Sequence, residues 1–141
     1  MQSPTGESDV DEGLITIPSQ FSVKDTIDRL VAKVTAVGLH VFARVDHEAG
    51  AKQAGFDLRP TELLLFGNPR GGTPLMLDKQ SSGIDLPVKA LAWEDAGGKV
   101  WLTYNDAAWI AERHGLSEAS AEAVRAMTAG LTMVTKAAAE G

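Results

Sequence analysis

Residues 95–98, Asp95-Ala96-Gly97-Gly98, join two apolar runs, residues 86–94 and 100–104. Paired glycines supply the positive φ that tight strand connections need, so these runs form a β-hairpin. Strands joined this way are antiparallel, whereas a parallel pair needs a crossover of a dozen residues or more. The hairpin therefore steers this part of the chain away from a doubly wound α/β sheet and towards an antiparallel one.

The rest of the chain fits around that hairpin. Residues 13–18 carry a β-branched run and read as a first strand. Ser22, three residues before Asp25, opens an amphipathic helix. Its apolar positions are Val23, Ile27, Leu30, Val31 and Val34, with Lys24, Asp28, Arg29 and Lys33 on the opposite face and Gly38 closing it. Residues 39–45 read as a second strand, with Leu39, Val41, Ala43 and Val45 on one face and His40, Phe42 and Arg44 on the other. Residues 46–60 form a polar connection that can hold one or two helical turns. Residues 61–66 are apolar on both faces and read as an internal strand. A glycine turn over residues 67–74 then leads into a short helix with Thr73 as N-cap and Pro74 as its first residue. Asn105 or Asp106 caps a helix from Ala107 to His114, which Gly115 ends. Ser117 opens an Ala-rich helical stretch whose larger apolar residues are Val124, Met127, Leu131 and Val134.

The expected order is β-α-β4-α with a small helix before the fourth strand: an α+β domain with a mainly antiparallel sheet and helices packed on one face. The chain divides into an acidic disordered tail over residues 1–12, one α+β domain over residues 13–114, and a C-terminal Ala-rich helix over residues 115–141.

Composition limits the partners. At 44% hydrophobic and 23% charged residues, the 141-residue chain can bury a core without staples. It lacks cysteine, so disulfides, thiolate nucleophiles and Cys-ligated metals are excluded. Its 13 Lys+Arg against 19 Asp+Glu give a net charge of −6, and the bases are scattered singly. Neither a nucleic-acid nor a membrane partner is expected. No apolar run reaches the length of a membrane span, and the N-terminus lacks a signal-peptide pattern, so a cytoplasmic location is the expectation.

Several side chains carry candidate chemistry. The Gly67-to-Gly72 turn offers backbone N–H groups at a helix start, an anion cradle or simply a turn. It is not a P-loop, because Thr73 and Pro74 stand where Lys and Ser/Thr are required. Lys89 interrupts an apolar strand beside Leu91 and Trp93. It is either a cation for an acidic ligand or a lysine at a sheet edge, the latter supported by Pro87. His47, within Asp46-His47-Glu48, is a candidate general base oriented by a carboxylate, or a metal ligand, and in the binding reading it would orient the ligand. His40 reads as a half-buried strand residue, and His114 as a helix C-terminal residue favoured by the dipole. Trp93, Trp101 and Trp109 read as core or interface residues. No cofactor and no metal site is expected, with three dispersed imidazoles and no thiol.

A family resemblance follows from these same residues. Asp46-His47, Ala51, Leu58-Arg59-Pro60-Thr61-Glu62-Leu63, Phe66-Gly67-Asn68-Pro69 and Gly72-Thr73-Pro74-Leu75-Met76 resemble the domain-of-unknown-function family 302. So do Asp85-Leu86-Pro87-Val88-Lys89 and the Glu94-Asp95 hairpin leading to Tyr104, a match over residues 13–114. The resemblance implies a TATA-binding-protein-like β-α-β4-α architecture, a topological label without DNA binding, and small, often dimeric members. It also implies that a shared site would lie at His47, Asn68, Arg70, Thr73 and Lys89.

The leading expectation is a homodimeric domain binding a small polar or anionic molecule, not an enzyme. Its ligand-binding residues would be His47, Asn68, Arg70, Gly71, Gly72, Thr73 and Lys89. The alternatives are an oligomerisation or protein-interaction module that uses the C-terminal helix as its contact, and an enzyme with His47 as acid/base.

Overall fold

The structure, a computed structural model, describes residues 12–141. The expected acidic tail thus lies outside the described residues apart from Glu12, which sits in a turn. Five strands form one sheet: β1 (Leu14–Ser19), β2 (His40–Asp46), β3 (Thr61–Gly67), β4 (Val88–Glu94) and β5 (Val100–Asn105). Their order across the sheet is β1-β5-β4-β3-β2, and every neighbouring pair is antiparallel. The helices are α1 (Val23–Ala36), α2 (His47–Gln53), α3 (Pro69–Asp78), α4 (Ala107–His114) and α5 (Ala121–Glu140). Short 3₁₀ turns at Gln80–Asp85 and Glu118–Ser120 complete the α+β domain.

The hairpin forms as its sequence requires. Asp95 Oδ1 accepts from the N–H groups of Gly97 and Lys99, and Gly98 takes φ +88°, a conformation that costs glycine little. Asp95 Oδ2 also accepts from the Trp101 indole N–H at 2.9 Å. The Trp101 bond first, then the Lys99 and Gly97 amides, hold the Asp95 carboxyl below the ordinary carboxylate range.

The core forms where α1 lies on the sheet. Ile27, Leu30 and Val34 have no solvent exposure, and they pack with Leu64, Phe66, Ala90, Ala92 and Leu102 from β3, β4 and β5. Ser22 caps α1 as its sequence predicts, accepting from the Asp25 N–H at 3.0 Å. Arg44 ties α1 to the sheet through Asp28 and Glu62, each at 2.8 Å.

Three expectations need correction. β4 is the middle strand of the sheet, and Pro87 precedes it, so Lys89 is not at an edge. Pro87 lies outside the hydrogen-bonded ladder, which removes the conflict that suggested an edge. In β2 the register slips between Val41 and Ala43: Val41 pairs with helix-facing Phe66, whereas Ala43 and Val45 pair with Leu65 and Leu63 on the other face. A bulge inserts one residue and breaks strict alternation there. The short helix before β4 starts at Pro69 with Asn68 as N-cap, not at Pro74 with Thr73. Asn68 wins because its carboxamide reaches the Gly71 N–H while Pro69, which has no N–H to satisfy, takes the first position.

α5 does not fray. Leu131, Val134, Ala138 and Ala139 are buried in the common core, so its apolar side is turned to its own chain. Its last carbonyls are capped from α1: Arg29 donates through Nε to Ala138 O (2.9 Å) and through Nη2 to Ala137 O (3.0 Å). Gln20 N–H reaches Ala139 O, and the Phe21 ring lies 4.2 Å beneath the Arg29 guanidinium.

Two outcomes follow. Arg29→Met keeps the aliphatic stem but removes the charged cap, and urea denaturation is expected to show a loss of about 1–3 kcal/mol. Because the Asp95 pKa is lowered on folding, its stabilisation is complete above the unfolded value of about 3.9 and is lost as pH falls through the folded value. Denaturation midpoints measured from neutral pH downward should therefore fall less steeply below about pH 4 in Asp95→Asn than in wild type.

Candidate functional site

The glycine turn after β3 opens onto a cavity of about 570 Å³ on the helix-covered side of the sheet. That volume lies within the range of roughly 300–1,000 Å³ typical of small-molecule sites. Its floor is Phe66 and Val88, its walls include Leu39, Phe42, Met76 and Leu86, and α5 forms the roof. The roof is thin because α5 presents Ala123, Ala126 and Gly130 there, beside Met127 and Leu131. A methyl group at Gly130 would meet nothing within 4 Å. The shortage of large apolar side chains in this helix is what leaves the space.

The mouth of the cavity carries the polar groups. Gly67 adopts φ +149°, turning the chain from β3 into α3. Asn68 Oδ1 accepts from the Gly71 N–H at 2.9 Å, and Asn68 O accepts from the N–H groups of Gly71 and Gly72 at 3.1 Å. Pro69 has no N–H. Of the amides that would form an anion cradle, those of Gly71 and Gly72 are therefore already committed to starting α3. Arg70 is the one charged side chain among the described lining residues, exposed and without an ion pair to any other described residue.

The far end of α3 fixes the near end of α5. Asp78 accepts from the Ser120 hydroxyl (2.7 Å) and from both the backbone N–H and the hydroxyl of Ser117. The Ser120 bond and then the Ser117 amide lower its pKa from the ordinary value, so acid below the carboxylate range loosens this clasp.

Asn68, Arg70, Gly71, Gly72 and Thr73 all line the cavity. His47 does not: it opens α2 at the far end of β2, five residues and about 16 Å of strand from Phe42. Among the described residues its side chain makes no hydrogen bond or ion pair. Lys89 lies on the opposite face of the sheet, paired with Leu65, and its Nζ donates to Pro87 O at 3.3 Å. His47, Arg70 and Lys89 therefore do not converge.

Sequence reading missed the apolar walls and the part played by α5. The one legible signal was the spacing of Ala123, Ala126 and Gly130, which places small residues on one helical face beside Met127. It also missed a chain of side chains around His114, whose Nδ1 lies 3.0 Å from Ser81 Oγ and whose Nε2 lies 2.6 Å from Asp85 Oδ2. Arg113 adds a bond to Asp85 at 3.1 Å. None of these four lines the cavity, and the group fastens the 3₁₀ turn Gln80–Asp85 to the end of α4.

No helix among the described residues is long and apolar enough to cross a membrane, and no cluster of three or more His, Cys, Asp or Glu among them could hold a metal.

Comparison with known proteins places this fold and cavity in context. The chain matches the family described as "Domain of unknown function DUF302" over residues 15–134, and it belongs to that family. The match runs through most of α5, beyond the stretch over residues 13–114 that carries the resemblance in the sequence. A crystal structure described as an uncharacterized conserved protein DUF302 from Bacillus stearothermophilus shares the fold. Its TM-score is 0.78 at 16% identity, with 89% of this chain and 98% of that chain covered. Two relatives are each 56% identical over 136 residues, or 96% of this chain. They are named fluoride-specific ion channel FluC 1, from Brucella suis and Brucella abortus, and this chain spans 54% and 50% of their lengths.

Because a Cβ at position 130 enters open space, Gly130→Ala should be stabilising. Helix propensity favours it by about 0.5–1 kcal/mol, and a rise in Tm of about 2–5 °C by calorimetry is expected.

Proposed function

We propose that this member of the DUF302 family is a non-enzymatic, homodimeric binding domain for a small amphipathic anion. The ligand's apolar body would occupy the cavity, and its anionic head would meet Arg70 at the mouth. The observation that carries this reading is the pairing of a largely apolar cavity of about 570 Å³ with one charged lining residue, an arginine that pairs with no described carboxylate. Guanidinium groups bind carboxylate and phosphate in a bidentate fork, so a single arginine at an apolar mouth selects a singly headed anion. With the Gly71 and Gly72 amides committed to the helix start, recognition rests on this side chain and on the Thr73 hydroxyl. The sheet face that no large helix covers supports association of two copies.

The relatives favour a second reading. In proteins named as fluoride-specific ion channels this domain accounts for about half the length. A cavity whose roof and mouth are separate helices, α5 and α3, suits a domain that reports its occupancy to an attached partner. In this reading the chain is an interaction module and the ligand its signal.

Fluorescence titration with dansylaminoundecanoic acid tests the proposal. Saturable enhancement is expected, with Arg70→Gln weakening Kd by about tenfold and Gly130→Leu, which fills the roof, abolishing it. A probe that fails to saturate, or that binds both variants as it binds wild type, overturns the binding function.

A further inference from the structure

The sheet has two faces, and α1 and α5 cover only one. The registers place Val45, Leu63, Leu65, Leu91, Trp93 and Trp101 together on the other. α2 touches β3 but buries none of its own residues, and α1, α3, α4 and α5 belong to the opposite side or the ends. We infer that this open face, centred on Leu91 of the middle strand, is the surface through which two copies of the chain associate. The inference rests on the homodimer proposed above and names the surface it would use.

Three observations select a second copy as the occupant. The first is charge. The chain carries 19 Asp and Glu, yet no strand residue sharing this face is acidic; the lysines that reach it are Lys89, bonded to Pro87 O, and Lys99, whose Nζ lies 4.5 Å over the Trp101 ring. Two such faces meet without the carboxylate repulsion that a net charge of −6 otherwise imposes, and these lysines fall short of the basic cluster an anionic membrane or nucleic acid would require.

The second is hydrogen bonding. Trp93 donates its indole N–H to Thr103 Oγ1 at 2.9 Å, Thr103 also meets Thr16 Oγ1 at 2.9 Å, and Trp101 donates to Asp95. These polar groups are satisfied within the chain, so covering the face orphans none of them. The two tryptophans lie stacked, with ring centroids 6.3 Å apart, and form a broad plate on which the Lys99 ammonium rests over Trp101.

The third is size. Five strands at about 4.8 Å spacing by six residues at about 3.4 Å give a face of about 480 Å² in plan. Side-chain relief raises this towards the roughly 600–1,000 Å² per partner of a standard interface. Leu91, flanked by Leu63 and Thr103 in register, lies at the centre, where an isologous two-fold axis would pass. Sheets packed in this way lie about 10 Å apart.

Sedimentation velocity of the full chain at about 1–100 μM tests the assignment. Wild type is expected to be a dimer, Leu91→Asp to weaken association by about 100-fold or more, and Leu77→Asp on exposed α3 to leave it unchanged. Should Leu91→Asp fail to fold, cross-linking of Leu91→Cys by a bismaleimide with a reach of about 8 Å decides, since the chain has no cysteine of its own and facing sheets about 10 Å apart are too distant for a direct disulfide. Rapid cross-linking of Leu91→Cys, with none in Leu77→Cys, supports the face. A folded Leu91→Asp that stays dimeric overturns this face and leaves the homodimer standing. A wild-type monomer at about 100 μM overturns both, as does a monomer that binds neutral phospholipid vesicles through this face.

Discussion

The position of α5 depends on a charged cap supplied from another helix. Arg29 reaches from α1 to the last carbonyls of α5, which otherwise have no intrahelical donors. α1 is itself fixed by Ile27, Leu30 and Val34 against the sheet, so the cap transmits the rigidity of the core to the end of α5. At the opposite end, Asp78 gathers Ser117 and Ser120. A helix poor in large side chains is thereby held over the sheet at both ends, and the cavity is the space it spans but does not fill.

This arrangement accounts for the contrast between the two faces of the sheet. On one face the helices bury Leu64, Phe66, Ala90, Ala92 and Leu102. On the other, Leu63, Leu65, Leu91, Trp93 and Trp101 remain part-exposed, with the tryptophan N–H groups bonded internally. Binding of a small molecule and binding of a second copy would thus occupy opposite sides of one sheet. β3 and β4 contribute alternate residues to each, Phe66 and Val88 to the cavity and Leu65 and Leu91 to the open face. Occupancy on one side and association on the other would share a rigid wall with no hinge between them.

Elements with local signals were legible in the sequence. Ser22, the apolar spacing of α1, the Asp95–Gly98 joint and the Gly115 stop each act within a few residues, and each forms as read. Where two local signals competed, the reading failed. Thr73-Pro74 and Asn68-Pro69 are both acceptable helix starts, and the carboxamide at Asn68 takes the earlier one. Pro87 suggested an edge, but one residue decides whether a proline sits inside a ladder or just ahead of it. The β2 bulge left no clear mark, because Val41, Phe42 and Ala43 are all compatible with a strand.

The sequence by itself determined the antiparallel class, the family, the absence of thiol chemistry and the turn from which Arg70 projects. These depend on residue type and short spacing. Only the tertiary structure decided that Arg70 faces an apolar cavity and that Lys89 lies across the sheet from it. It also decided that His47 stands at the far end of β2. Whether side chains separated by tens of residues converge depends on strand order and on which face each strand turns inward. Both are settled by the collective burial of apolar surface, and neither is written in any one segment.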